Sequence, residues 1–363
     1  MQASCDGCRP TPTSTLCGLV AAAPKPQHQN MNIGAIDDLS TSTALGPELA
    51  ATTTPAVTYV PEVAASSAAA AIPTDPPTAE KRSTITRDAC AVQPGGAGPI
   101  PGDGSVDAYL AADSHSSGYT LSFSNLQGST QQIGFLTYRT IDSSDYDVEA
   151  CKDFCDSENA TLASTPTPRA PAPLPITNVK CSLYGYPVAE KSATNTGQWR
   201  GPEDSNGKAF HVVIAGSNGY SKTKVPATLD DFTVPTSLPA AINAPLDNGY
   251  DTYNGMKLYN EGPFDPCICA AACQAQTAFD KEHLVAADGT YKPCNFFTAY
   301  ILTLNEVPQG TYCSFYTREW DSSYATNTGY SWQDEVYRVK ATVAYTLTKL
   351  DSEVVSAPAP TES

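Results

Sequence analysis

An internal repeat constrains this chain of 363 residues more than any other feature. The phrase Cys181-Ser182-Leu183-Tyr184 recurs as Cys313-Ser314-Phe315-Tyr316, and 192–197 recurs as 324–329, at one offset and without a gap. Self-similarity at a fixed spacing is the signature of a duplicated structural unit. We therefore predict two copies of one small unit, module 1 (83–225) and module 2 (226–350).

Each module also carries a C-x-x-x-C motif, at Cys151–Cys155 in module 1 and at Cys269–Cys273 in module 2. Cysteines four residues apart lie on one face of a helix. We predict helices near 146–157 and 265–279, each packed on strands in which apolar residues alternate. A helix over an antiparallel sheet belongs to the α+β class. The predicted fold is two small, disulfide-stapled α+β modules.

The two copies differ between the C-x-x-x-C motif and the Cys-Ser-aromatic-Tyr phrase. Module 2 has Cys294 and an aromatic strand in this interval, whereas module 1 has a shorter, proline-rich stretch at 161–175. Proline at this density is unfavourable in a helix interior or a central strand. The pattern predicts that 161–175 is a surface loop or linker, and that module 1 is incomplete because it lacks a central strand.

The chain ahead of the modules has a different composition. Residues 1–23 resemble a degenerate signal peptide, and 24–82 are rich in Ala, Thr and Pro, which predicts a disordered pro-segment. This segment ends at Lys81-Arg82, a dibasic pair typical of an accessible protease site. Its alternative interpretation is a solvated charge pair. The tail at 351–363 is also predicted to be disordered.

Composition excludes several classes of partner. A formal net charge of −17 argues against nucleic-acid binding, which needs a basic surface. No run of 18 apolar residues occurs, so no membrane span is predicted. Twelve cysteines favour an oxidising compartment. The sequon at Asn159 predicts a glycosylated surface position.

The C-x-x-x-C helix, the aromatic strand led by Cys294 and the Cys-Ser-(Leu/Phe)-Tyr phrase together resemble the PAN/apple module. More closely, the chain is similar to secreted filamentous-fungal proteins, some labelled fruit-body specific. These carry two such modules after a signal peptide and an Ala-rich, dibasic-ended pro-segment. The resemblance spans residues 83–348. It implies a secreted or wall-associated protein that binds protein or carbohydrate without catalysis and without a cofactor.

The resemblance also implies a disulfide pattern. Cys269 and Cys273 would bridge to the strands that carry Cys294 and Cys313, whereas in module 1 one residue of its C-x-x-x-C motif would bond the cysteine of its Cys-Ser-Leu-Tyr phrase. The sequence leaves the connectivity open. A zinc site built from Cys267, Cys269, Cys273 and Cys294 is the alternative, although the spacing is not that of paired C-x-x-C knuckles. The disulfide candidates are Cys90, Cys151, Cys155, Cys181, Cys267, Cys269, Cys273, Cys294 and Cys313.

Aromatic residues cluster around the repeated Ala-Thr-Asn-Thr-Gly loop of each module. Flat rings stack on sugar faces and asparagine amides bond hydroxyl groups, so these residues are the candidates for a carbohydrate or protein site. The favoured interpretation of the pattern is nevertheless that the rings pack in the core and that the loop is a turn. The candidate ligand-binding residues are Tyr184, Asn195, Trp199, Tyr316, Trp320 and Asn327.

The chain contains no His-Glu-x-x-His, phosphate-binding glycine loop or Gly-x-Ser-x-Gly motif. We therefore predict neither catalytic nor metal-ligating residues. The preferred function is a non-enzymatic binding protein. Two alternatives stay open: a secreted hydrolase acting on wall polysaccharide, and a structural wall component without a soluble ligand.

Overall fold

The computed structural model describes residues 45–46, 56–57, 59–72, 119–141, 146–158, 161–169, 176–200, 210–222 and 226–352. These residues form a mixed α+β fold in which every described strand pair is antiparallel. The predicted fold class is confirmed at this level.

The described helices and strands are listed here in chain order. Ahead of the modules lies α1 (Pro61–Ala70). The elements of module 1 are β1 (Thr120–Leu126), β2 (Phe135–Ile141), α2 (Val148–Glu158), β3 (Thr161–Arg169), β4 (Ile176–Tyr184), β5 (Gly197–Arg200), β6 (Phe210–Val213) and β7 (Ser217–Ser221). The elements of module 2 are β8 (Thr236–Ser237), β9 (Tyr253–Tyr259), α3 (Pro266–His283), β10 (Phe296–Leu304), β11 (Val307–Tyr316), β12 (Gly329–Trp332) and β13 (Glu335–Thr346).

The two sheets share one topology. In module 1 the strand order is β1-β7-β3-β4-β2. In module 2 the corresponding order is β8-β13-β10-β11-β9. Strand β12 also pairs with β13, at Glu335 to Arg338, whereas β8 pairs with it at Val343 and Ala344. Tyr184 pairs with Phe135 in module 1 as Tyr316 pairs with Tyr253 in module 2. The sequence repeat is therefore a repeat of strand order and of register.

The loop prediction for 161–175 is wrong for residues 161–169. These residues form β3, which lies between β4 and β7 at the place that β10 holds in module 2. Prolines are tolerated because β7 pairs only with Leu162 to Ser164, so the part of β3 with Pro166 and Pro168 has a ladder partner, β4, on one side only. A proline nitrogen facing such an open edge breaks no ladder hydrogen bond. Module 1 thus has a strand where the sequence comparison predicts a gap.

Helix α3 begins with favourable local chemistry. The Asp265 carboxylate accepts a hydrogen bond from the Cys267 N–H at 2.9 Å, and Pro266 stands at the first helical position. Lys281 and His283 in the last turn complement the helix dipole. The predicted helices near 146–157 and 265–279 are confirmed as α2 and α3. Each covers one face of its sheet.

The prediction of disorder over 24–82 is wrong for residues 59–72. Here α1 forms and packs on module 2, with Ala68 and Ile72 buried at 2% and 7% exposure. An alanine-rich segment is predisposed to be helical because alanine loses no side-chain entropy. Pro61 at the first helical position supplies the start signal. Lys81 and Arg82 lie outside the described residues.

The two modules contact each other beside this helix. The hydroxyl groups of Tyr186 in module 1 and Thr311 in module 2 lie 3.0 Å apart, and the Phe264 N–H donates to the Gly185 carbonyl at 3.1 Å. Tyr186 belongs to a buried apolar cluster that also takes Leu45 from the chain ahead of α1. The described residues upstream of module 1 therefore contact both modules.

Candidate functional site

Three of the four predicted aromatic ligand-binding residues belong to the core. Tyr184, Tyr316 and Trp320 are 0%, 1% and 4% exposed, respectively. Their polar atoms bond inside the protein: the Tyr184 hydroxyl donates to the Thr130 carbonyl at 2.6 Å, and the Trp320 Nε1–H donates to Thr252 at 3.0 Å. A buried ring presents no face on which a sugar could stack. The geometry supports the favoured interpretation, core packing, for these three rings.

The two candidate asparagines stabilise their own loops. The Oδ1 atom of Asn195 accepts from the Gly197 N–H at 3.2 Å, and Asn327 accepts from Gly329 at 3.1 Å. The backbone of Asn327 also pairs with Ala241 in both directions. These bonds are those of a turn in which the glycine has a positive φ. The backbone of Trp199 lies in β5, its side chain lies outside the description, and Asn159 and Cys90 lie outside the described residues.

Three disulfides join the described cysteines, namely Cys151–Cys181, Cys269–Cys313 and Cys273–Cys294. Each links a helix to its sheet or to the residue that leads a strand, as the resemblance implies. Sulfurs in disulfides cannot serve as thiolate ligands, so three of the four cysteines of the zinc alternative are unsuitable. The remaining two described cysteines, Cys155 and Cys267, are buried and lie outside these three bonds.

The structure brings together a site that the sequence interpretation missed, a groove on module 2 occupied by α1. The apolar side of α1 carries Ala64 and Ala68, one turn apart, and Ile72 follows just beyond the end of the helix. Ala68 and Ile72 belong to the same buried cluster as Cys267 and Ala270 of α3. On the outer side of α1, Val63 is 62% exposed. The helix thus docks through small side chains along one stripe.

The covered part of α3 is its first turns. Cys267 and Ala270 are 4% and 6% exposed, whereas Gln274 and Ala278, one and two turns beyond Ala270 on the same side, are exposed. A face that is otherwise open to solvent is therefore covered at the end where α1 lies. We call this face, with the neighbouring part of β9, the α1 groove.

Polar groups hold α1 at both ends. The Tyr59 hydroxyl donates to Asp265 Oδ2 at 2.7 Å. The Tyr259 hydroxyl donates to the Ala68 carbonyl at 3.3 Å, and Lys257 Nζ donates to the Ala71 carbonyl at 3.4 Å. Carbonyls in the last turn of a helix lack intrahelical partners, so these two donors satisfy acceptors that the helix leaves open. Burial and the adjacent Asp265 carboxylate raise the pKa of Tyr59, which keeps its hydroxyl protonated as a donor.

Module 1 does not repeat this groove. Counting from the aligned cysteines, Glu149 and Lys152 of α2 hold the positions of Cys267 and Ala270. They form an ion pair at 3.2 Å, with the Glu149 side chain half exposed. Docking an apolar helix there would remove both charges from water, which is costly. The α1 groove is a property of module 2.

The described residues also show what the fold does not bring together. Within these ranges, no three His, Cys, Asp or Glu side chains are grouped so that they could hold a metal ion. No helix in this part of the chain has the length and apolar character needed to cross a membrane.

The whole chain was compared with protein-family models, curated proteins and solved structures, and none of them matches it. The resemblance to PAN/apple modules accordingly rests on the sequence motifs.

Proposed function

We propose that this chain is a secreted, non-enzymatic binding protein with two PAN/apple-like modules, of which module 2 binds a helical segment of a protein. One observation carries the proposal: a helix from elsewhere in the chain, α1, lies in the groove of module 2 and is bonded at both ends. The three disulfides are compatible with an extracellular location. The fungal, wall-associated setting and the pro-segment are part of the same proposal.

Burial favours protein over carbohydrate as the ligand. The rings of Tyr184, Tyr316 and Trp320, which the sugar hypothesis needs on the surface, lie in the core. The α1 groove, by contrast, makes apolar contacts and hydrogen bonds to a peptide. In this proposal α1 is the resident occupant of the groove. Cleavage at Lys81-Arg82 would cut the covalent link between α1 and the modules. Because α1 would then have lost the high effective concentration that its tether provides, a partner helix could compete with it for the groove on equal terms.

The test uses the full chain with Ala68→Glu. A carboxylate at a position that is 2% exposed would be buried among apolar side chains, so α1 should leave the groove. Hydrogen exchange at the α1 amides reports this release. A fluorescein-labelled peptide with the sequence of 57–73 should then bind in trans, as measured by anisotropy. A glycan array with the same protein tests the carbohydrate alternative.

The matched control is Val63→Glu, the same change on the exposed side of the same helix. It should leave α1 protected from exchange and should not bind the peptide. The proposal is wrong if Ala68→Glu releases α1 but the peptide fails to bind. Reproducible release of sugar from wall polysaccharide by the wild-type chain would favour the hydrolase instead.

A further inference from the structure

We infer that the α1 groove selects a helix of one direction and one chemistry, and this inference rests on the proposed function. The helix it fits has an aromatic hydroxyl just before its first turn and small residues at successive contact positions. Its last turn presents open carbonyls to the donors on β9. The groove is therefore specific for a helical peptide with these features, rather than for apolar helices in general.

The N-terminal end of the groove is built for a tyrosine. Asp265 is held in place because its Oδ1 accepts from the Cys267 N–H, which leaves Oδ2 to accept the Tyr59 hydroxyl. The Tyr59 ring lies against Gly262, where a Cβ atom would come within 2.3 Å of two ring carbons. Gly262 has φ +72°, a conformation that also favours glycine. A side chain at this position would displace the ring.

The C-terminal end of the groove determines direction. Tyr259 and Lys257 are donors, and they face the carbonyls of Ala68 and Ala71. A cation at the C-terminus of a helix also interacts favourably with the helix dipole. In a reversed helix the open N–H groups and the positive end of the dipole would face Lys257, while Asp265 would meet carbonyl oxygens. Like charges or like partial charges would then face each other at both ends of the groove, and the reversed helix would be repelled.

The middle of the groove selects for size. Ala68 is almost fully buried against a face of α3 whose residues here, Cys267 and Ala270, are small. Close approach of two helices through alanine leaves no space for added methylene groups without shifting a backbone. A leucine at the Ala68 position should therefore keep α1 out of the groove.

The experiment measures peptides against the full chain carrying Ala68→Glu. Compared with the peptide of sequence 57–73, Tyr59→Phe should weaken binding at least fivefold because it removes a hydrogen bond to a carboxylate. Ala68→Leu in the peptide should also weaken it at least fivefold, and the same residues in reversed order should show no saturable binding. Val63→Ala, a change on the exposed side, should alter affinity less than twofold.

A second host, Ala64→Glu, guards against misfolding of the first, and near-ultraviolet circular dichroism checks that both retain native packing. Suppose the wild-type peptide binds, and the reversed peptide and both substituted peptides (Tyr59→Phe and Ala68→Leu) bind with the same affinity. The selectivity of the groove is then refuted, while the proposed function stands. If the wild-type peptide fails to bind either natively packed host, both are refuted. In a host that also carries Asp265→Asn, the peptides with Tyr59 and with Tyr59→Phe should bind with equal affinity. That result identifies the Asp265 carboxylate as the acceptor of the tyrosine hydroxyl.

Discussion

Strand β13 offers a test in which one substitution has opposite effects at two nearby positions. Ala341 has φ +52° and lies where the ladder to β10 shifts, since Val343 pairs with Ala299 but Lys340 pairs with Ile301. This extra residue is a β-bulge. The left-handed conformation costs an L-residue about 1–2 kcal/mol, and glycine costs about 0.5–1 kcal/mol through its greater freedom in the unfolded chain. Ala341→Gly should therefore stabilise the protein by about 0.5–1 kcal/mol.

Ala344 provides the matched control in the same strand. It is 4% exposed and pairs in register with Thr298. Glycine there would add about 0.5–1 kcal/mol of backbone entropy cost and would remove a buried methyl group worth about 0.8 kcal/mol. We expect Ala344→Gly to lower the free energy of unfolding by about 1.5 kcal/mol.

Urea unfolding of the full chain, followed by tyrosine and tryptophan fluorescence, measures both changes. The m-values of the variants should match the wild type, so that the midpoints report stability directly. The reasoning about the bulge is refuted if Ala341→Gly lowers the free energy of unfolding as Ala344→Gly does.

Three further predictions concern module 2. Glu306 has φ +75° in the two-residue turn between β10 and β11. Glu306→Gly should raise the free energy of unfolding by about 0.5–1 kcal/mol, whereas Glu306→Ala should not raise it because alanine keeps the unfavourable φ. Burial raises the pKa of Asp280 above its ordinary 3.8, so the contribution of Asp280 to stability is full below pH 3.8 and is lost as the pH rises. In urea titrations the stability of the wild type relative to Asp280→Asn should therefore fall between pH 4 and pH 7, and a constant difference would contradict this. Trp320→Phe removes the hydrogen bond to Thr252 and should lower the free energy of unfolding by about 1–3 kcal/mol in thermal unfolding. In the Ala68→Glu chain the same substitution should leave peptide affinity unchanged, and a loss of affinity without a loss of stability would identify Trp320 as a ligand contact.

Much of module architecture could be predicted from local pattern. Helices α2 and α3 follow from cysteines four apart with helical periodicity, and β13 follows from alternating apolar residues, although the bulge at Ala341 interrupts that alternation. Each signal is contained within a few turns or one strand, where spacing alone determines which side chains share a face. The two-module organisation follows in the same way, because the repeat preserves residue types at one offset.

The remaining features depend on residues far apart in sequence. Tyr59 and Asp265 are 206 positions apart, and nothing in an alanine-rich stretch indicates which surface will bind it. Proline content predicts a loop at 161–169, but pairing with β4 and the short reach of β7 allow a strand.

The duplication, the α+β class and the positions of α2 and α3 can be read from the chain alone, because these follow from short-range periodicity and covalent spacing. The fold is needed to show that Cys181 bonds Cys151, that Tyr184, Tyr316 and Trp320 are core residues, and that α1 occupies module 2. Burial depends on which surfaces meet, and local sequence does not specify that. A ring beside a polar loop, or an alanine stripe beside a threonine-rich tract, has the same local sequence whether it faces solvent or another element.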